Sequence, residues 1–266
     1  MKRSSGARLC ATAAVGALSL VLITGCSDEG SKKDSKGSSK GSGSSSSSSA
    51  PAAKALTAAE LEKLLLAQGE VKGYKIDAGD PSLPASKSAV KVDKSACEPL
   101  VYAISALPPG DTDASARNTV TEDKSAQAGT KSPEDISESD IEDAFDVTTT
   151  LVGLSSYEGD GAEKAMKAVT DSVTACSGGF SMSADGETQK ATEVTSAKAS
   201  GLGEESVAFT VVADMDGEGT ANFQVEVVRS GSTVATFYGI NLGALAKGGD
   251  SKVPAAVSQA QVAKLK

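Results

Sequence analysis

Cys97 and Cys176 are the side chains best suited to chemistry in the body of this chain. Thiols can close a bridge, hold a metal as thiolates or attack a carbonyl. The last two roles need neighbours that this sequence lacks. It has no histidine, which excludes Ser-His-Asp and Cys-His nucleophile systems and histidine-based metal centres. No C-x-x-C occurs, which argues against a redox-active pair. No Walker or Rossmann glycine pattern is present, so no nucleotide-binding motif asks for a cofactor. Paired carboxylates can do acid–base work, but 32 of them lie between Leu56 and Lys266 and no pair stands out.

The other two thiols sit in a different setting. Met1-Lys2-Arg3 and Arg8 make a basic start, and Leu9 to Ser27 is uncharged. That is the pattern of a secretory signal over residues 1–25, in which the basic end stays behind while the apolar run enters the export machinery. Ile23-Thr24-Gly25-Cys26 resembles the bacterial lipobox. The resemblance implies a diacylglyceryl group on the sulfur of Cys26, cleavage after Gly25, and a lipoprotein whose first residue carries fatty chains of the palmitate type. Two or more such chains anchor stably where one does not. The alternatives are an uncleaved membrane anchor, or a plain secretory signal with an incidental cysteine. With Cys10 removed and Cys26 acylated, Cys97 and Cys176 remain as an even pair in an exported domain. An oxidising compartment favours a disulfide between them. It would close a loop of about 80 residues and contribute on the order of 4–5 kcal/mol in the chain-entropy model. Two unpaired buried thiols are the other reading.

Charge then bounds the partners. Loss of Lys2, Arg3 and Arg8 takes the net charge from −9 to −12. The stretch after Cys26, up to Ala55, has five lysines against three acids, or +2, which leaves the domain Leu56–Lys266 at −14. Such a domain repels phosphate backbones, so nucleic acid is not an expected partner. Residues 26–55 are the acylated cysteine and a Ser/Gly/Lys linker with an unbroken Ser44–Ser49 run. This composition cannot bury apolar surface and is expected to be disordered. As a flexible coil it reaches about 30 Å root-mean-square, and about 100 Å fully stretched. It is a tether that holds the domain off the outer face of the cell membrane.

Residues 56–266 fit one domain. Thr57 and Glu60 have capping-box spacing ahead of Leu61, Leu64 and Leu65, with Gly69 as a stop. Ser95 and Glu98 repeat that spacing before Leu100, Ile104 and Leu107. Asp160–Cys176 is the clearest helix, with Met166, Val169, Val173 and Cys176 on its inward stripe and Gly178-Gly179 after it. Strands are expected in Tyr74–Asp77, Ala116–Glu122 and Phe145–Leu154, where Phe145, Val147, Thr149 and Leu151 share one side. Phe180–Ser183, Glu193–Ala199, Ser206–Ala213, Thr220–Arg229 and Thr233–Leu242 follow. In Thr220–Arg229, Phe223, Val225 and Val227 alternate with Asn222, Gln224 and Glu226, which reads as one packed and one wet face of an antiparallel meander. Val253–Leu265 makes a last helix with Pro254 near its start. The expected class is α+β, an antiparallel sheet with helices packed on one face.

Four further groups have bland readings. Asp214-Met215-Asp216-Gly217-Glu218 resembles an oxygen-ligand calcium loop but lacks its third early ligand and its late bidentate Glu, so a solvated hairpin turn is expected. Lys124–Ser139 reads as a polar loop. Glu134, Asp135, Glu138, Asp140, Glu142, Asp143 and Asp146 read as solvated surface. Tyr74, Tyr102 and Tyr157 read as core rather than pocket residues, and scarce aromatics argue against sugar stacking.

The stretch "LTAAELEKLLLAQGEV", the Cys-Glu-Pro-Leu helix start and "ACSGGF" are similar to exported actinobacterial sensor-like lipoproteins. These resemble the extracellular sensor domain of mycobacterial receptor Ser/Thr kinases. The resemblance implies a curved sheet with a cleft for a small ligand. The chain departs from it in encoding no kinase and in having one available disulfide where the kinase sensor has two. The expected function is therefore a membrane-anchored surface lipoprotein with a non-catalytic, sensor-like domain that binds a small molecule or a protein partner outside the cell. A lipid carrier of the envelope is the alternative, and a carboxylate-based hydrolase comes third.

Overall fold

The computed structural model describes residues 54–266 other than 80–82, 113, 125–136, 138–144, 218 and 247–248. The leader, Cys26, the linker to residue 53 and the acidic run up to Asp143 lie outside the described residues.

Helix α1, Ala58–Leu64, begins as its sequence predicts: Thr57 Oγ1 accepts from the Glu60 N–H at 3.3 Å, and the Thr57 N–H donates to Glu60 Oε2 at 2.8 Å. It ends earlier than expected, because Leu65 at ψ 151° leaves the helix four residues before Gly69. Strand β1 is Tyr74–Asp77 and β2 is Val90–Val92. Helix α2, Glu98–Ile104, departs from expectation at its start. Ser95–Cys97 form a single 3-10 turn, Cys97 takes the N-cap place, and the second capping box does not form. The reason is Pro99, which has no N–H to cap and belongs in a first helical turn. It moves the helix start to Glu98.

Then follow β3, Ser115–Glu122; β4, Thr148–Ser156; α3, Gly161–Ala175; β5, Phe180–Ala184; and β6, Glu187–Ala197. The chain closes with β7, Glu205–Asp214; β8, Thr220–Ser230; β9, Thr233–Asn241; α4, Leu242–Ala246; β10, Asp250–Ser251; and α5, Ala255–Ala263. The strands form one ten-stranded sheet in the order β1-β3-β4-β9-β8-β7-β6-β5-β2, with β10 beside β8. Pairing along that order is antiparallel throughout, and only β10 runs parallel to its neighbour.

The class is α+β, but the helices cover both faces rather than one. On the first face α2 and α3 pack Leu100, Val101, Met166 and Val169 against Phe209, Val225, Val227 and Val234. On the second, α1 and α5 pack Leu61, Val257 and Val262 against Val120, Val152, Leu154, Val228 and Phe237. The central strands explain this. In β9, Val234 faces one core while Ala235 and Phe237 face the other, so both sides of the pleat are apolar and both need a cover. The wet face expected of β8 is only half there. Glu226 is buried, and its Oε1 accepts from the Ser200 N–H at 2.7 Å. Phe145 is 63% exposed and lies ahead of β4, outside the apolar side where alternation had placed it.

Cys97 and Cys176 are both fully buried and form a disulfide with a Cα–Cα distance of 5.9 Å. It joins the turn before α2 to the end of α3, as the even pair suggested.

Candidate functional site

The sheet is strongly curved on its α2–α3 face. From β4 to β5 is five steps in strand order, about 24 Å in a flat sheet. Yet Leu151 of β4 and Met182 and Ala184 of β5 line one cavity of about 540 Å³. Curvature of that order makes the face concave. Helices α2 and α3 fill most of the hollow and leave this cleft where α2 stops.

Each wall follows from local structure. Helix α2 ends at Ile104, and Ala106 takes φ +52°, turning the chain down onto β4. Gly153 makes room for that approach, since a Cβ there would stand 2.9 Å from the Ala106 carbonyl oxygen. Ile104 and Ser105 thus form one wall. The floor is Leu151, Tyr238 and Ile240, with Leu151 directly opposite Tyr238 across β4 and β9. Leu83 and Pro84 form a second wall, held by Arg117, whose Nη1 donates to the Pro84 carbonyl at 2.7 Å and whose Nη2 donates to that of Leu83 at 3.4 Å. The far side is the β5–β6 hairpin. Met182 and Ala184 pair with Gln189 and Glu187, so the pleat points these four into the cleft. Asp185, in the turn at φ +51°, completes the rim.

Tyr238 is the notable floor residue. Its ring lies 5.6 Å from that of Phe223. Its hydroxyl has no hydrogen-bond partner among the described residues. Burial pushes its pKa well above the ordinary value of 10.0, so it stays protonated as a donor and acceptor at the cleft floor. A larger cavity, about 680 Å³, lies around Leu66, Gln68, Ile76, Ala116 and Asn118. There Gln68 bonds the Tyr74 carbonyl and the Ile76 N–H, and Asn118 Nδ2 donates to the Leu66 carbonyl at 2.8 Å. Only Asn118 Oδ1 of that set lacks a partner. These bonds stitch α1 and β1 to the sheet, whereas the polar groups of the smaller cleft stand open.

The residues singled out from sequence fall elsewhere. Tyr157 is buried, and its hydroxyl accepts from the Gly110 N–H at 3.1 Å. Tyr102 packs on the first core with Lys87 Nζ 5.0 Å from its ring centre, and Tyr74 packs on the second core. Asp214–Gly217 is the β7–β8 turn, where the Met215 N–H donates to the Gly219 carbonyl at 3.0 Å. Glu218 lies outside the described residues, and among those described no three acidic or cysteine side chains gather as ligands. Asp146, the described member of the acidic run, is exposed and accepts from Asn241 Nδ2 at 2.8 Å. Sequence reasoning assigned Ile104 to a helix face and missed Tyr238, Met182 and Glu187 as neighbours. Their signal is weak, because an alternating strand looks the same whether its inner face meets core or cleft.

Fold and site together define an α+β domain with a two-sided core and an open hollow on its concave face. No family model matches the chain, and no curated protein matches it. Among solved structures it is similar to the extracellular domain of PknH from Mycobacterium tuberculosis, with 17% identity over 80% of this chain and 95% of that one, at a TM-score of 0.44.

Proposed function

We propose that the chain is an extracytoplasmic binding module that holds a small amphiphilic molecule in the cleft beneath the end of α2, without transforming it. The observation that carries this reading is the cleft's lining. Ile104, Leu151, Met182, Ile240 and the Tyr238 ring supply apolar surface, and the Tyr238 hydroxyl with Asp185, Glu187 and Gln189 supplies a polar side of similar extent. A hollow of about 540 Å³ lies in the range that suits a small ligand. The disulfide supports an oxidising location outside the cytoplasm. In this reading residues 1–25 are the export signal, Cys26 is acylated, residues 26–55 tether, and residues 56–266 bind. The membrane is the partner of the anchor and a small molecule is the partner of the domain.

The test is a titration with the neutral fluorescent probe N-phenyl-1-naphthylamine. The expected result is a saturable one-site rise in emission that is lost in Ala184→Trp, a change that fills the cleft, at unchanged melting temperature. A non-saturating signal, or one that Ala184→Trp leaves intact, refutes the cleft as the site. Lipid extracted with the protein from its own membranes would turn the reading towards a carrier.

A further inference from the structure

We propose that the cleft selects a cationic amphiphile, an ammonium group on a compact apolar body. The inference rests on the reading of the cleft as the ligand site. Two carboxylates, Asp185 and Glu187, stand on its rim, and no lysine or arginine lines it among the described residues. The separation of charge follows from the pleat. Glu187 and Gln189 pair with Ala184 and Met182, which face the cleft, whereas Lys190 pairs with Ser181 and Lys91 with Ser183 on the opposite side. Both lysines of this edge are therefore turned to the outer surface. Arg117, on the strand beside the floor, has its guanidinium engaged by the carbonyls of Pro84 and Leu83. The floor completes the match. The Tyr238 ring offers a face to a cation, and its unpartnered hydroxyl accepts from an ammonium N–H. A net charge of −14 over the whole domain draws cations towards it and turns anions away.

A charge series on one apolar body tests this: 4-phenylbutylammonium, 4-phenylbutanol and 4-phenylbutyrate. The readout is the methyl resonances of full-length protein labelled at methionine. Met182 lines the cleft, while Met166 is buried in the α3 core and Met215 lies in the β7–β8 turn, so only the Met182 signal should move. The ammonium is expected to bind at least about tenfold tighter than the carboxylate, with the alcohol between them, because two exposed charges together act by about that factor. Asp185→Asn with Glu187→Gln should bring the ammonium down about fivefold to tenfold, to the level of the alcohol, and leave the alcohol unchanged. Both positions are exposed, so the fold should persist. Equal binding of ammonium and carboxylate, or a preference that survives the double change, overturns the charge selection and leaves the cleft reading standing. If none of the three shifts the Met182 methyl, the cleft reading itself falls.

Discussion

At Tyr238 burial disfavours the phenolate, so the folded chain holds that proton more tightly than the unfolded chain does. A raised folded pKa makes stability complete below the unfolded value near 10.0, and erodes it as pH rises through and beyond that value. Tyr157 is pushed the same way, first by burial, as are Tyr102 and Tyr74. The tyrosinate absorbance should therefore lag the pH expected of free tyrosine and appear together with unfolding. A native chain whose four tyrosines ionise freely near pH 10 would contradict this. The cysteine pair was legible at this scale because few roles remained for it once histidine and C-x-x-C were absent. The cleft tyrosine was not legible. One aromatic in an alternating strand has the same pattern over a core as over a hollow, and only the place where α2 stops decides between them.

Helix α5 shows how the elements depend on one another. Gln261 is fully buried, accepts from the Leu66 N–H at 3.0 Å and donates to the Leu64 carbonyl at 2.8 Å, so a side chain of the last helix caps the end of the first. Lys264 adds bonds to the Leu65 carbonyl at 2.7 Å and to Glu70 at 2.6 Å. Gln261→Leu should leave one buried and one partly buried backbone group unpaired and cost about 2–4 kcal/mol in denaturant unfolding. A change within about 0.5 kcal/mol would show that solvent satisfies those groups instead. The capping box of α1 was readable because its two partners lie three residues apart in the chain. The cap supplied by Gln261 was not, because 195 residues separate donor from acceptor. Strand β4 gives a similar lesson. Its alternation was visible from Thr149 onward, but the extension back to Phe145 failed because alternation does not say where pairing begins.

For the whole molecule, element order and strand alternation pointed to α+β and an antiparallel meander, yet not to the second covered face. That face is assembled by the two ends of the domain, α1 and α5, which no local pattern joins. The proposed lipid anchor belongs to this scale as well. Cys26→Ala should release the protein from the membrane fraction or stall its maturation, and unchanged retention would refute lipid attachment at that residue. The binding claim is tested most directly by native mass spectrometry of full-length protein released gently from its own membranes, alongside Ala184→Trp. The account predicts a one-to-one non-covalent adduct of a small molecule on the unaltered chain and none on the filled one. An empty unaltered chain, or an adduct carried equally by both, would contradict it.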